Sequence, residues 1–305
     1  MIVSSIDIGT NTVILLIAGV DIQKKEIRAL YNEQQIPRIG KGLQAGEEIQ
    51  KTKVEELLNI IKNYKNIIDE YKCEKSFVIG TNALRIASNS AEIVNEIMNR
   101  FSLNLEIIAG EKEAYLSFLG AVFELEPKSK NLVIDIGGGS TEIIYGTRKE
   151  IEFKKSTMIG VVSASEEFLI HNPPAKSGID KLNSRLEDLF KDLYLEKLHF
   201  DSVIAMAGTP TTLAAIQENL EEFDEQKIEG HYLDKEELKK LIDTIAPLTN
   251  NEILIKFKSV VRGREDVILA GSIILFHLMQ QFGINKIKVS TKGIRYGKIV
   301  DELFS

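Results

Sequence analysis

Two glycine turns, each preceded by an aspartate, carry the residue types best suited to phosphate chemistry. The first is Asp7-Ile8-Gly9-Thr10-Asn11-Thr12, and the second is Asp135-Ile136-Gly137-Gly138-Gly139-Ser140-Thr141. Glycine lets backbone N–H groups approach a ligand, and successive N–H groups form a concave anion site. An aspartate beside a phosphate implies a divalent cation between them, because like charges repel. One such turn alone would more often be an ordinary β-hairpin, but two turns at matching positions favour phosphate binding.

Apolar runs and helical periodicity place both turns between strands and predict a similar order of elements in each half of the chain. In the first half, strands are predicted at 2–8, 13–20, 26–36, 76–79 and 105–109, and helices at 51–71, 91–101 and 112–125. In the second half, strands are predicted at 131–136, 141–145 and 202–207, and helices at 176–199, 235–245, 266–282 and 294–304.

The repeated order indicates an internal duplication. Asp7 and Asp135 lie 128 positions apart, each within Ile-Asp-Ile-Gly. Gly80 and Gly208 also lie 128 positions apart, each at the end of an apolar run and each followed by threonine. Two landmarks with one offset and the same local context are typical of a repeated structural unit.

The offset does not hold towards the C-terminus, which predicts an insertion in the second half. If Gly110 corresponds to Gly293, the separation is 183 positions, and the insertion lies between about Gln217 and Asn285. We therefore expect one α/β domain over residues 1–125, a second over 126–293, and a cleft between them. The amphipathic helix at 294–305 is expected to return to the first domain.

Composition excludes several classes of protein. The chain has 305 residues and a net charge of −7, whereas a protein that holds nucleic acid through general electrostatics is usually basic. The single cysteine, Cys73, rules out an internal disulfide and suits a reducing compartment. The apolar run Val13–Val20 is too short to span a membrane and lacks the basic leader of a signal peptide. We expect a soluble, cytoplasmic protein without nucleic-acid or membrane partners.

The two turns resemble the phosphate loops of the superfamily that contains acetate and sugar kinases, actin and heat-shock chaperone ATPases. Within it, Gly137-Gly138-Gly139-Ser140-Thr141-Glu142 resembles the exopolyphosphatase and guanosine pentaphosphate phosphohydrolase (Ppx/GppA) family. Four further segments agree: Thr81-Asn82-Ala83-Leu84-Arg85, Gly110-Glu111-Lys112-Glu113-Ala114, Gly208-Thr209-Pro210-Thr211-Thr212-Leu213-Ala214 and Val289-Ser290-Thr291-Lys292-Gly293-Ile294-Arg295-Tyr296-Gly297. The resemblance implies two duplicated ribonuclease-H-like (actin-like ATPase) domains of α/β class.

The resemblance also implies that Glu113 is the catalytic residue that orients the attacking water. In the family, the second acid of a Glu-Glu-Ala element has this role, and Ala114 places Glu113 rather than Glu111 in that position. Hydrolysis of a phosphoanhydride requires a water aligned with the breaking bond, and a carboxylate can align that water and accept its proton. The alternative is a solvated acid in the first turn of a helix, where the helix dipole favours it.

Three more side chains are candidates for the reaction centre. Asp135 is expected to hold Mg²⁺, directly or through water, because Mg²⁺ binds few carboxylates together with substrate oxygens. Glu142 is expected to bind the metal or to order the water, with an outward-facing strand acid as the alternative. Arg85 is expected to clamp phosphate oxygens through its forked guanidinium. The alternative for Arg85 is an exposed helix face.

The segment that begins with Gly208 and Thr209 is expected to start a helix, whose free N–H groups attract anions. It would hold a penultimate phosphate or a guanosine ribose, unless Thr209 merely caps the helix. A chain of phosphates also needs cations, and the candidates are Arg262, Arg264, Lys286, Lys288, Lys292 and Arg295. A charge run is usually a solvated face, so these candidates have no individual roles.

The expected function is Mg²⁺-dependent hydrolysis of terminal phosphoanhydride bonds, in inorganic polyphosphate, in guanosine pentaphosphate (pppGpp to ppGpp), or in both. The alternatives are an ATP-dependent small-molecule kinase of the same superfamily and an actin-like ATPase interaction module. The sequence leaves open both the preferred substrate and whether the protein forms a homodimer.

Overall fold

The computed structural model describes residues 1–193 and 198–304. The chain forms two compact units. Unit 1 comprises Met1–Gly120 together with the segment that starts at Gly293, and unit 2 comprises Ala121–Lys292. The sequence placed the division after residue 125, five positions further on. In the described part of the chain, no helix is both long enough and apolar enough to cross a membrane.

Unit 1 is built on a sheet whose described strands have the order β3-β2-β1-β4-β5. β2 is antiparallel to both β1 and β3, whereas β4 and β5 run parallel to β1. A core of apolar side chains from the sheet and the helices packed on it fills this unit. Its elements up to the end of the fourth helix are β1 (Ile2–Ile8), β2 (Val13–Asp21), β3 (Glu26–Gln35), α1 (Lys51–Glu70), β4 (Lys75–Gly80), α2 (Asn82–Ile86), α3 (Ser90–Phe101), β5 (Leu105–Ile107) and α4 (Gly110–Val122).

Unit 2 begins with β6 (Asn131–Ile136), β7 (Thr141–Gly146), β8 (Ile151–Thr157), α5 (Val161–Phe168), α6 (Lys176–Phe190), β9 (Ser202–Met206) and α7 (Gly208–Gln217). It continues with α8 (Glu225–Ile228), β10 (Tyr232–Asp234), α9 (Lys235–Ile245), α10 (Asn250–Phe257), a 3₁₀ turn (Lys258–Val261), α11 (Ile268–Gln281) and β11 (Lys286–Val289). The described strands have the order β8-β7-β6-β9-β11-β10.

The strand orders confirm the predicted duplication and the ribonuclease-H-like fold. The order and directions of β1 to β5 are repeated in unit 2 by β6, β7, β8, β9 and β11, and β10 adds an antiparallel edge strand.

The offset of 128 positions between the two repeats, however, shifts by one residue after the first strand. Asp7 pairs with Ile79, and Asp135 pairs with Met206. The two partners, Ile79 and Met206, lie 127 positions apart. Gly80 ends β4, whereas Gly208 begins α7 after Ala207, whose φ is +72°.

The helix predicted at 176–199 is shorter than expected. It ends at Phe190, where the buried stripe formed by Leu182, Leu186 and Phe190 ends and charged residues follow. Residues 191–193 are not helical, and residues 194–197 lie outside the described part of the chain. Several elements of unit 2 were not predicted, namely β8, α5, α8, β10, α10 and β11. The alternating burial of β8 places half its side chains in solvent, which weakens its apolar pattern.

The last helix, α12 (Ile294–Phe304), belongs to unit 1 and contacts β1. It crosses α4 at very short range. A Cβ atom on Gly297 would overlap the carbonyl oxygen of Leu116, and one on Gly120 would overlap that of Gly293. Lys298 is 5% exposed and donates to the more exposed Glu106 at 2.7 Å, so an ion pair ties α12 to β5.

Candidate functional site

The first turn connects β1 to β2 and is fixed by backbone hydrogen bonds. The Gly9 N–H donates to the carbonyl of Thr12 at 2.9 Å. The segment after β3, Pro37–Gly40, packs on this turn and is called the first brace. Its N–H groups at Arg38 and Gly40 donate to the carbonyls of Asn11 and Thr10, each at 3.0 Å. Gly40 has no room for a side chain, since a Cβ would lie 2.5 Å from Thr10 Cγ2.

The second turn connects β6 to β7 and has a similar arrangement, in which the braced carbonyls lie one position earlier. The Gly137 N–H donates to the carbonyl of Ser140 at 2.9 Å, the same bond 128 positions further on. The segment after β8, Gly160–Ser163, is the second brace and forms the N-terminus of α5. Its N–H groups at Val161 and Val162 donate to the carbonyls of Gly137 and Gly138 at 2.9 and 2.8 Å.

The braces determine where the N–H groups of the turns point. In a planar trans peptide the carbonyl and the N–H point in opposite directions. Carbonyls held by a brace therefore direct the N–H groups of Gly138 and Gly139, and likewise those of Asn11 and Thr12, to the opposite side. Within the described chain these four N–H groups have no backbone acceptor. The Nδ2 of Asn11, a residue only 9% exposed, also lacks a hydrogen-bond partner there. Both turns thus present donors suited to an anion.

Arg85 and Glu113 meet in unit 1. Arg85 lies on α2, and its Nη1 donates to the carbonyl of Ile108 at 2.8 Å and to Glu113 Oε2 at 3.0 Å. Its Nη2 donates to Asn82 Oδ1 at 3.4 Å. An exposed helix face is therefore wrong as the environment of Arg85. Glu113 lies in the first turn of α4 and is partly buried, whereas Glu111 is exposed.

Asp135 and Glu142 lie side by side on adjacent strands of unit 2. They are directly paired in the antiparallel ladder between β6 and β7, so their side chains leave the same face of the sheet. Glu142 is 6% exposed and accepts a hydrogen bond from Ser156 Oγ at 2.7 Å, so the alternative of an outward-facing acid is wrong. Two opposed carboxylates beside an anion-binding turn are a donor set suited to Mg²⁺, which neutralises their repulsion. Among the described residues, no three His, Cys, Asp or Glu side chains form a metal cluster.

The N-terminus of α7 differs from the sequence-based expectation. Ala207, not Thr209, occupies the capping position, and no side chain caps the helix. Thr209 is 3% exposed and packs against Gly271 of α11, so the capping alternative is wrong and its hydroxyl is buried. Gly208 lies against the guanidinium of Arg264, which fills the space that a Cβ would need. The groups of this segment that remain candidates for an anion are therefore its backbone N–H groups, with the guanidinium of Arg264 packed against Gly208.

The residues of the proposed basic set have different environments within their own units. Arg295 is 7% exposed and donates to Asn32 Oδ1 within unit 1, so it is a structural residue. Lys292 forms an ion pair with Glu124 in unit 2. Lys286 and Arg262 are exposed. Arg295 thus has a packing contact within unit 1 that the sequence analysis did not predict.

Sequence reasoning missed the two braces. Both contain a glycine in close contact with a turn, Gly40 in one and Gly160 in the other, and each brace follows the third strand of its unit. A glycine shortly after the third strand of each repeat was the available signal. Lys53, whose Nζ donates to the carbonyl of Pro37 at 2.6 Å, supports the first brace from α1 and had no sequence signal.

The fold and the paired turns define a two-unit α/β protein of the ribonuclease-H-like class. The sequence model of the Ppx/GppA phosphatase family matches residues 16–305. The chain belongs to the Ppx/GppA phosphatase family.

Individual relatives agree with this assignment. The crystal structure of the Aquifex aeolicus family member superposes with a TM-score of 0.85 at 31% identity and covers 100% of this chain and 98% of that one. Exopolyphosphatase 2 of Mycobacterium tuberculosis is 28% identical over 97% of this chain and 96% of its own. The bifunctional 3-dehydroquinate synthase/phosphatase of Fusobacterium nucleatum is 32% identical over 98% of this chain. This chain spans only 46% of that bifunctional protein.

Proposed function

We propose that this protein is a Mg²⁺-dependent exopolyphosphatase that releases orthophosphate from the end of inorganic polyphosphate. The observation that carries the proposal is the Arg85–Glu113 ion pair, which fixes the carboxylate of Glu113 at the N-terminus of α4. The chain's membership of a phosphatase family supports a hydrolytic role for that carboxylate. The name of the Mycobacterium tuberculosis relative supports the choice of polyphosphate. Guanosine pentaphosphate is the second candidate substrate, because the family name includes GppA and the bond to be broken is the same.

Glu113 would orient the attacking water and accept its proton. Its carboxylate is held by Arg85 Nη1 at 3.0 Å, and the same nitrogen is held by the carbonyl of Ile108 at 2.8 Å. A carboxylate held in this way loses little rotational freedom when it aligns a water. The side chain of Glu113 is 21% exposed, so solvent can still reach it.

The two turns would bind phosphate oxygens through their backbone N–H groups. The net charge of −7 disfavours attraction of a polyanion by the protein as a whole, so local donors must provide the binding. Fixed N–H groups do so without reorganising, which favours the charge that develops as the bond breaks. Asp135 and Glu142 would hold Mg²⁺, which would neutralise negative charge on the phosphate oxygens when bound.

The decisive experiment measures orthophosphate release from inorganic polyphosphate and from guanosine pentaphosphate, without added ATP, in Mg²⁺ and after removal of metal by EDTA. We expect wild-type release in Mg²⁺ and none in EDTA. Glu113→Gln should lower kcat by about 100-fold or more, because it removes the proton acceptor while keeping the shape.

Glu111→Gln is the matched control, because Glu111 lies in the same helical turn but is exposed. It should stay within about twofold of wild type. Near-normal turnover by Glu113→Gln would show that the water-orienting residue has been misassigned. Phosphate transfer only with ATP and an acceptor would instead establish the kinase alternative, and ATP-dependent sedimentation would establish the filament-forming one.

A further inference from the structure

Gly160 lies where the N-terminus of α5 meets the second turn. The first three N–H groups of the helix, at Val161, Val162 and Ser163, all donate to carbonyls of Gly137 or Gly138, at 2.9, 2.8 and 3.3 Å. We propose that Gly160 is a positioning residue for phosphate binding, which lets α5 approach the second turn closely enough to orient and polarise it. This inference rests on the proposed phosphatase function.

The need for glycine at position 160 comes from contact and not from backbone conformation. Its φ of −136° and ψ of −176° are extended values that any residue adopts. A Cβ there, however, would lie 2.5 Å from the carbonyl oxygen of Gly137 and 2.6 Å from the carbonyl carbon and oxygen of Gly138. Any side chain at this position would push α5 away from the turn and stretch the hydrogen bonds.

The consequence of that contact is electrostatic. The first N–H groups of a helix have no partner within it and carry the positive end of its dipole. Here they bind the carbonyls of Gly137 and Gly138 instead of a ligand. The same two peptide groups carry the N–H groups of Gly138 and Gly139 on their other side. Since linked hydrogen bonds polarise one another, α5 strengthens these two donors towards a phosphate that it does not itself touch.

The first test compares Gly160→Ala with Gly178→Ala. Gly178 is the matched control, because a Cβ there would overlap the carbonyl oxygen of Phe168 at the opposite end of α5, far along the helix from the turn. Both variants should lose stability. Only Gly160→Ala should weaken polyphosphate binding, by about tenfold or more, measured by calorimetry without metal, and raise KM correspondingly in Mg²⁺.

The second test removes one hydrogen bond without adding an atom, in case Gly160→Ala fails to fold. An ester in place of the Gly160–Val161 amide, made with the hydroxy-acid analogue of valine, deletes the N–H that donates to Gly137 O. We expect about fivefold weaker polyphosphate binding. The same ester at Ala164 deletes an N–H that donates to Gly160 O inside α5, and it should bind within about twofold of wild type.

If the ester at Val161 and the ester at Ala164 had equal polyphosphate affinity, with both proteins folded by circular dichroism, the proposal would be overturned. Equal affinity for folded Gly160→Ala and Gly178→Ala would do the same. Binding by calorimetry is measured separately from hydrolysis. If the wild type binds polyphosphate but releases no orthophosphate from either substrate, the proposed function fails while this inference is still decided by the affinities.

Discussion

At the scale of single residues, the structure gives Arg85 a contact that adds to its predicted role. The sequence suggested a clamp on phosphate oxygens, but the described contacts of its guanidinium hold the side chain of Glu113. Because the same nitrogen also binds the carbonyl of Ile108, the orientation of the pair is tied to the end of β5. Arg85 therefore orients the residue that would orient the water.

This role predicts that lysine cannot replace Arg85. A single ammonium nitrogen cannot reproduce the forked contacts to Ile108, Glu113 and Asn82. Arg85→Lys should lower kcat about tenfold or more and leave KM closer to wild type, as steady-state phosphate release will show.

Arg100→Lys is the control for that measurement, since Arg100 forms an exposed ion pair with Glu96 on α3. It should keep kcat within about twofold of wild type. If Arg85→Lys did the same, the proposal that Arg85 positions Glu113 would be abandoned.

At the scale of secondary-structure elements, one close crossing between two helices of unit 1 fixes the helix that carries Glu113. α12 and α4 touch backbone to backbone at Gly297 and Leu116, with Gly120 and Gly293 in contact one turn away. α4 carries Glu113 at its other end. The helix with the proposed catalytic residue is thus fixed by a contact that has no space for even a methyl group.

The crossing predicts a large stability loss for a small substitution. Gly297→Ala should lower the free energy of unfolding by about 2 kcal/mol or more, because the methyl group would overlap Leu116 backbone atoms that cannot yield cheaply. Urea denaturation measures the change. Gly19→Ala on β2, where a Cβ would find ordinary contacts at 3.7 Å or more, should change stability by less than about 1 kcal/mol. Equal losses for the two variants would contradict the interpretation.

The packing of α6 against α11 predicts a pH dependence of stability. Burial lowers the pKa of His277 below its ordinary value, although Glu187 on α6 and Gln281 on α11 act in the opposite direction. The unfolded chain therefore binds a proton more readily than the folded one. The buried, neutral imidazole of His277 therefore contributes fully to stability above about pH 6.5. This contribution is lost as the pH falls through the lower pKa of the folded state.

Urea denaturation at pH 7.5 and pH 5.0 tests this prediction. His277→Phe should lose less stability on acidification than the wild type does, because the carboxyl groups titrate in both proteins and only the imidazole differs. His171→Gln, at an exposed position, should keep the wild-type difference. If His277→Phe lost as much stability between pH 7.5 and pH 5.0 as the wild type, the assignment of this pH dependence to His277 would be refuted.

At the scale of the whole molecule, unit 1 is assembled from two separate stretches of chain. The core of unit 2 uses residues between Leu132 and Val289 alone. Unit 1, in contrast, needs α12, which buries Ile294 against Ile79, Ile108 and Leu116. The two units therefore differ in their dependence on the C-terminal segment.

That asymmetry predicts the result of a truncation. Removal of residues 293–305 should expose the face of β1 that α12 contacts and abolish the slow hydrogen exchange of unit 1, while the sheet of unit 2 keeps its protection. Hydrogen–deuterium exchange with mass spectrometry resolves the two. Full protection of β1 in the truncated protein would show that unit 1 folds without its second stretch.

Local patterns were sufficient to predict the duplicated fold and the two turns. The strand 131–136 and the helix 235–245 were predicted with their observed limits, because a short apolar run and a strong amphipathic period need no distant information. The burial of Arg295 was not predictable, since it depends on Asn32, 263 positions away. The braces escaped prediction for the same reason, because their function lies in backbone contacts that no side-chain pattern records.

The two turns also show what a duplicated site keeps. They share an N–H to C=O bond across four residues and two carbonyls held by the segment after the third strand. Their four positions, Gly9 to Thr12 and Gly137 to Ser140, share only the first glycine. One is supported by a loop and the other by a helix, and the braced carbonyls are those of Thr10 and Asn11 in the first turn but of Gly137 and Gly138, one position earlier, in the second. Duplication has therefore kept the closing bond of each turn, while the residue types, the supporting element and the braced positions have diverged. A structural template of that bond between two antiparallel strands would recognise both copies where an alignment of the four letters would not.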